Sequence, residues 1–78
     1  MNEKQIYNRM NKCYEEVFRD EPTDEWYGDD NPKIWRFYRP REDTTFLMEM
    51  KEEEKKIDIS FRNGTKGEYK KYTTYSWR

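Results

Sequence analysis

The side chains best suited to chemistry in this sequence are acidic and aromatic, and they are concentrated between residues 20 and 30. This segment contains six carboxylates, no basic side chain, and a Trp-Tyr pair near its centre. An aromatic ring surrounded by charge is typical of protein-binding hot spots, in which the ring is buried and the charges steer an oppositely charged partner. We therefore predict a partner-binding surface made of Asp24, Glu25, Trp26, Tyr27, Asp29 and Asp30.

The acidic segment has three further interpretations. Closely spaced carboxylates imitate the phosphates of nucleic acid, which would let this chain occupy a DNA-binding site on another protein. The same oxygens are the ligands that Ca²⁺ and Mg²⁺ prefer, but the spacing of an EF-hand is absent, so we predict no metal site. The simplest alternative is a solvated loop in which Trp26 folds back onto the core instead of anchoring a partner.

A second candidate surface is basic and aromatic and lies toward the C-terminus, where Lys and Arg are mixed with Tyr as far as Arg78. The bases of a single-stranded nucleic acid stack on exposed rings while basic side chains follow its phosphates. A pI near 5.5 weighs against this function, because strong nucleic-acid binders usually have a clearly basic domain. Single-stranded nucleic-acid binding is therefore the alternative prediction, with Arg36, Tyr38, Arg62, Lys70, Lys71 and Tyr72 as its residues.

The sequence offers few groups for catalysis. It has no histidine and one cysteine, Cys13, so neither Ser-His-Asp and Cys-His nucleophiles nor Cys/His zinc sites can be built from it. Glu49 and Asp58 are expected to face each other across a sheet, and paired carboxylates serve as acid and base in glycoside hydrolysis. A solvated sheet face, neutralised by Arg36 and Lys70, explains that pair more simply. We predict no enzymatic activity, no cofactor and no metal.

A helix is expected to precede the acidic segment. Apolar residues recur there at spacings of three and four, which places them on one side of a helix. Asn2 and Gln5 have the spacing of a capping box, in which each side chain accepts a hydrogen bond from the other residue's backbone N–H. The pattern predicts an amphipathic helix over about residues 3–20, ended by Pro22, and then a loop over residues 20–32.

Four strands are expected after the loop, because apolar and polar residues alternate there. A turn near Glu53 would place Met50 opposite Ile57 and Met48 opposite Ile59, so that all four share one face. In the last strand Lys71 interrupts the apolar alternation. Either a bulge shifts the phase, or an inward Lys protects a sheet edge. The predicted strands cover about residues 33–39, 44–51, 56–62 and 68–77.

These elements predict an α+β fold in one domain over residues 1–78, with an N-terminal amphipathic helix packed on a four-stranded antiparallel β-meander. Residues 1–32 contain four basic and nine acidic side chains, whereas residues 33–78 contain twelve and eight, so the charge is unevenly distributed. Fourteen aromatic residues (seven Tyr, four Phe and three Trp) must supply most of the core, because the chain has no Ala and one Leu.

The predicted function is that of a small non-catalytic binding protein. The composition, without Ala and rich in Lys, Asn and Tyr, favours a viral, phage-type or mobile-element gene whose product binds and inhibits a host protein. Its partner is expected to be a protein with a basic or DNA-binding site. Because the single cysteine forms no disulfide framework, we expect a cytoplasmic location, in the host if the gene is viral, and no membrane association. Homo-oligomerisation is a further expectation for so short a chain.

Overall fold

The structure is a computed structural model that describes residues 1–77, so Arg78, the last residue of the predicted domain, lies outside the described residues. It confirms the α+β class, with one N-terminal helix and an antiparallel sheet. The sheet has five strands in chain order, so the predicted count of four is wrong. The elements are α1 (Glu3–Val17), β1 (Glu25–Tyr27), β2 (Ile34–Arg39), β3 (Thr44–Lys51), β4 (Lys56–Asn63) and β5 (Lys70–Ser76).

The helix α1 begins as the sequence indicates and ends earlier. The capping box is present, with Gln5 N–H donating to Asn2 Oδ1 at 2.8 Å and Asn2 N–H donating to Gln5 Oε1 at 3.0 Å. The helix stops at Val17 and not near Pro22, because the backbone at Phe18 is extended and directs that ring into the core. Among residues 1–77 no helix is both long enough and apolar enough to span a membrane.

The strand β1 lies inside the segment that the sequence predicts as a loop. Its three residues pair with β2, with Trp26 opposite Phe37 and Tyr27 opposite Arg36. The strand is too short for apolar alternation to indicate it, since a recognisable strand pattern needs about four to eight residues. Its pairing gives the acidic segment a fixed position at one edge of the sheet.

The core lies between α1 and one face of the sheet, which we call the inner face. The predicted pairs are confirmed, since Met50 lies opposite Ile57 and Met48 opposite Ile59, with all four buried. The helix contributes its apolar side and the sheet contributes alternate residues of three strands. The buried hydrophobic residues are Ile6, Met10, Cys13, Tyr14, Phe18, Phe37, Phe46, Met48, Met50, Ile57 and Ile59.

The last strand contains the bulge that was one of the two explanations for its irregular pattern. Ile59 pairs with Thr73 and Ser60 pairs with Lys71, which leaves Tyr72 as an extra residue in β5. The Tyr72 ring therefore lies on the inner side, stacked 5.9 Å from Phe18. Lys71 pairs with an outer-face residue, so the alternative of an inward Lys is wrong.

Candidate functional site

A groove of about 480 Å³ runs between α1, β1 and the chain that connects β1 to β2. Its volume is in the range of pockets that hold small molecules or single side chains of a partner. The helix supplies one wall, and the aromatic residues of β1 and β2 supply the other. The residues that line it are Tyr7, Asn11, Tyr14, Glu15, Asp20, Trp26, Tyr27, Asp29, Asn31, Pro32, Ile34 and Trp35.

Four aromatic rings in sequential contact form the base of this groove. The ring centroids of Tyr7 and Trp35 are 5.4 Å apart, and those of Trp35 and Trp26 are 5.5 Å apart at an interplanar angle of 89°. Trp26 in turn contacts Tyr14 at 5.0 Å. These distances are typical of favourable edge-to-face and tilted aromatic pairs. The rings consequently fix one another's positions.

Much of the aromatic surface in the groove is exposed. Of the five large hydrophobic side chains exposed in residues 1–77, Tyr7 at 58% and Trp26 at 46% line it with their rings, whereas Tyr27 borders it but pairs with Arg36 on the opposite face of the sheet. Trp26 is thus only partly folded back onto the core. One side of its ring packs 4.7 Å from Phe37 in the core, and nearly half of it faces solvent.

Asp24, one of the predicted partner-binding residues, has a buried side chain. Its side chain is 1% exposed and forms a two-point ion pair with Arg39, whose Nε donates to Oδ1 at 2.9 Å and whose Nη2 donates to Oδ2 at 2.8 Å. Arg39 also donates to the carbonyl of Arg19 at 2.7 Å. This pair joins β2 to the segment that follows α1, so Asp24 has a structural role.

The ion pair also positions a ring of the groove. Tyr14 donates a hydrogen bond of 2.6 Å from its hydroxyl to Asp24 Oδ2. Burial and this bond raise the pKa of Tyr14 to about 12. Burial alone would raise the pKa of Asp24, but the hydrogen bonds from Arg39 and Tyr14 outweigh it and hold that pKa below its ordinary value. Asp24 is therefore a carboxylate at neutral pH.

The other predicted partner-binding acids are exposed, but only one of them reaches the groove. Asp29 lines it, accepts a hydrogen bond from the Asn31 backbone N–H at 2.8 Å, and lies 3.5 Å from Arg36. Glu25 and Asp30 are exposed outside the lining. Within residues 1–77 no three metal-ligating side chains converge on one point.

Several groove residues escaped prediction because they belong to other parts of the chain. Tyr7, Asn11 and Glu15 are spaced by four along α1, so they share one side of the helix at the margin of its apolar stripe. Tyr7 is exposed, and its ring contacts that of Trp35. A second row of residues spaced by four, beside the apolar stripe, was the feature of the sequence from which these groove residues could have been predicted.

The basic residues of the alternative prediction are divided between two sides of the sheet. The outer face, which α1 does not cover, includes a row in which Tyr27 pairs with Arg36, and Ser60 pairs with Lys71. The guanidinium of Arg62 lies 4.7 Å from the Tyr69 ring centre, and that of Arg36 lies 5.9 Å from Tyr27. The predicted residues that share this face are Arg36, Tyr38, Arg62 and Lys71.

The two remaining residues of that set do not join this face. Lys70 pairs with Phe61, an inner-face residue, and is exposed at the sheet edge. Tyr72 packs on the inner side, 5.3 Å from Phe46. The bulge therefore separates them from Lys71. Tyr38 remains on the outer face, where its hydroxyl donates to Asp43 at 2.6 Å.

The groups considered for catalysis are placed as follows. Glu49 and Asp58 are paired across β3 and β4, as predicted. The cations beside them are Lys51, 3.3 Å from Glu49, and Lys56, 3.9 Å from Asp58, and not the predicted Arg36 and Lys70. Each therefore has a neutralising partner on its own strand.

Cys13, the one thiol of the chain, is fully buried beneath the sheet. Burial, with a smaller contribution from the nearby Glu16, raises its pKa to about 12. Since the thiolate is the nucleophilic form, Cys13 is unreactive near neutral pH. Its role is that of a small apolar core residue.

The described residues thus form two candidate surfaces, the aromatic groove and the outer face of the sheet. The groove is acidic, whereas arginines stacked on tyrosines mark part of the outer face. Comparison with known proteins finds no matching protein family, no matching curated protein and no matching solved structure.

Proposed function

We propose that this chain is a non-catalytic binding protein whose aromatic groove holds a basic segment of another protein. The observation that supports this is the groove itself, in which the rings of Tyr7 and Trp26 are exposed together. An exposed aromatic patch beside polar residues is a common mark of an interaction site. Occupying the partner's basic segment would block that segment sterically, as expected of a small inhibitor from a viral or mobile-element genome.

The charge of the groove favours a basic partner. Glu15, Asp20 and Asp29 line it, and the other lining residues among those described include neither Lys nor Arg. Complementary charge increases the rate of encounter and selects among partners more than it adds affinity. We accordingly assign affinity to the rings and partner choice to the carboxylates.

A non-catalytic function agrees with the state of the reactive groups. Cys13 is buried as a thiol, and Glu49 and Asp58 each lie beside a lysine. The proposal retains the cytoplasm as the place of action, an expectation that rests on the single cysteine of the sequence.

Replacing Trp26 with alanine is expected to weaken binding of a Lys/Arg-rich peptide by at least about tenfold, because truncation of a central aromatic anchor costs about 2 kcal/mol or more. Isothermal titration calorimetry would measure the affinity, with a counterpart peptide in which glutamine replaces every basic residue. We expect that counterpart to bind far more weakly. Circular dichroism would show whether the variant is folded, since Trp26 also contacts Phe37.

Two charge-reversal variants that leave every aromatic ring in place test the role of the groove carboxylates. Glu15→Lys should weaken binding of the basic peptide severalfold, because Glu15 lines the groove and is exposed. Glu53→Lys makes the same charge change at an exposed site outside the lining and should leave binding nearly unchanged. Equal affinities for the two variants, or equal affinities for the two peptides, would rule out the groove as a basic-segment site.

Single-stranded nucleic-acid binding is a second candidate function, which we infer for the outer face of the sheet. The observation that favours it is a pair of arginines stacked on tyrosines. The Arg36 guanidinium lies 5.9 Å from the Tyr27 ring centre, and the Arg62 guanidinium lies 4.7 Å from the Tyr69 ring centre. Arginine and tyrosine together bind phosphate and stack on bases.

The outer-face proposal predicts salt-sensitive binding of a single-stranded oligonucleotide. The double variant Arg36→Gln/Arg62→Gln should bind about tenfold more weakly at low salt and show a shallower dependence on salt, by about 0.7 in logarithmic slope for each lost phosphate contact. Fluorescence anisotropy of a labelled oligonucleotide would measure both. Lys70→Gln is the control, since Lys70 lies off this face. No binding of the wild-type protein at low salt would exclude the function.

A further inference from the structure

The base of the groove has the geometry of an aromatic cation site. Tyr7, Trp35 and Trp26 follow one another with centroids 5.4 and 5.5 Å apart, and successive planes are turned by 56° and 89°. All three residues line the groove, so their rings contribute surface to the same space. The face of an indole is the best aromatic partner for an ammonium or guanidinium group within about 6 Å.

Carboxylates are placed where they would complete such a site. Glu15 lies on the helical wall, one turn beyond Asn11, whose amide donates to it at 2.9 Å. Asp20 and Asp29 line the groove from the segments that follow α1 and β1. A cation above the rings would therefore meet negative charge from more than one element of the fold, which strengthens attraction within a partly desolvated groove.

Tyr27 borders the groove, but its ring contacts a cation of the chain itself on the outer face of the sheet. The Arg36 guanidinium lies 5.9 Å from the centre of the Tyr27 ring and 3.5 Å from Asp29. Arg36 is therefore a competitor for Asp29, so the ligand's main partners are expected to be Tyr7, Trp26 and Trp35. Neither tryptophan of this group has a guanidinium of the described chain within cation–π distance.

The rings are held in place before a ligand arrives. Tyr14 contacts Trp26 at 5.0 Å, and its hydroxyl is fixed by Asp24, which is itself held at two points by Arg39. The Trp26 backbone is paired with β2 opposite Phe37. A site whose side chains are already ordered loses little conformational entropy on binding.

We propose that the groove recognises one organic cation, the side chain of a lysine or arginine in the partner's basic segment, by cation–π contact with Tyr7, Trp26 and Trp35 and by attraction to the surrounding carboxylates. This rests on the proposed function and names the chemical group that the groove selects. The remaining volume of the groove holds the aliphatic part of that side chain and the adjoining backbone of the segment.

Small amides of single amino acids test the proposed cation site directly. The protein is titrated with the Nα-acetyl methylamides of lysine, ε-trimethyllysine, arginine and norleucine, while the indole N–H signals are followed by two-dimensional NMR. We expect saturable shifts of the Trp26 and Trp35 signals with the cationic amides, and an affinity about tenfold lower for neutral norleucine, in keeping with the energy of cation–π contacts. The order among the three cations identifies the preferred head group.

Variants of two tyrosines with similar exposure show whether a loss of affinity comes from the ring in the groove or from removing any exposed tyrosine ring. Tyr7→Leu should reduce the affinity for the cationic amides severalfold, and Tyr7→Phe should retain it, because the ring and not the hydroxyl makes the contact. Tyr72→Leu is the matched control, since Tyr72 is 50% exposed but packs on Phe18, outside the groove lining. Equal losses in Tyr7→Leu and Tyr72→Leu would overturn the proposal.

The outcomes also distinguish this inference from the function on which it rests. If the basic peptide binds but lysine, arginine and norleucine amides shift the indole signals equally, the cation site is overturned and the binding function stands. If neither the peptide nor the amides bind, both proposals fall. Preference for the cationic amides that Tyr7→Leu removes supports both.

Discussion

Asp24→Asn is expected to lower the free energy of unfolding by about 3 kcal/mol, because it removes the carboxylate that holds the buried Arg39 guanidinium at two points and leaves only the longer contacts to Glu21 and Glu42, at 3.7 and 3.5 Å. The side chain of Arg39 is 5% exposed, so water cannot replace the lost charge. Small domains are stable by only about 5 kcal/mol, so the variant should lose more than half of its stability. Urea denaturation followed by circular dichroism measures the difference.

An exposed ion pair provides the comparison for this variant. Lys51 and Glu49 lie 3.3 Å apart on the outer face, with side chains 40% and 43% exposed. Glu49→Gln should change stability by less than about 1 kcal/mol, since surface pairs gain little in water. Similar losses in Asp24→Asn and Glu49→Gln would show that the Asp24–Arg39 pair is not a buried support of the fold.

The pH dependence of stability gives a second readout of the same pair. Because the pKa of Asp24 is depressed in the folded state, its contribution is fully present above its unfolded pKa of about 4 and is lost as the pH falls through the folded pKa. The Asn variant has no carboxylate at this position to protonate, so it does not lose stability in this way. Its free energy of unfolding and that of the wild type should therefore converge below pH 4. Tyr14, with its pKa raised to about 12, contributes stability below about pH 10 that is lost toward pH 12.

Phe37→Ala is expected to destabilise the protein by about 3–5 kcal/mol through loss of buried surface and formation of a cavity. Phe37 is fully buried, and its ring contacts Tyr14 at 5.4 Å, Phe18 at 5.1 Å and Phe46 at 5.3 Å. It therefore joins the helix, the chain after it and two strands. Thermal unfolding should show a midpoint lowered by well over ten degrees.

Leu47→Ala is the matched control for Phe37→Ala. Leu47 lies on β3 opposite Arg36, one position along from the Phe37–Phe46 pair, but on the outer face of the sheet. It is half-buried, so its truncation should cost much less than that of Phe37. The reverse order of the two losses would mean that the helix covers the other face of the sheet.

The sequence determined those features that depend on neighbouring residues. Asn2 and Gln5 defined the start of α1, because a capping box is formed by residues three apart. Alternation in β3 and β4 defined their pairing, because a shift of one residue would expose Met48 and Ile59. The end of α1 was misplaced, because burial of Phe18 outweighed the preference for continuing the helix to Pro22.

Only the tertiary structure decided which residues of the acidic, aromatic segment are exposed. Between Asp24 and Asp29 the sequence shows no difference in character, yet one is buried against Arg39 and the other lines the groove. That distinction comes from a contact across 15 positions of the chain, which no local pattern encodes. The aromatic groove is decided in the same way, because packing of the helix on the sheet brings Tyr7 and Trp35 beside Trp26.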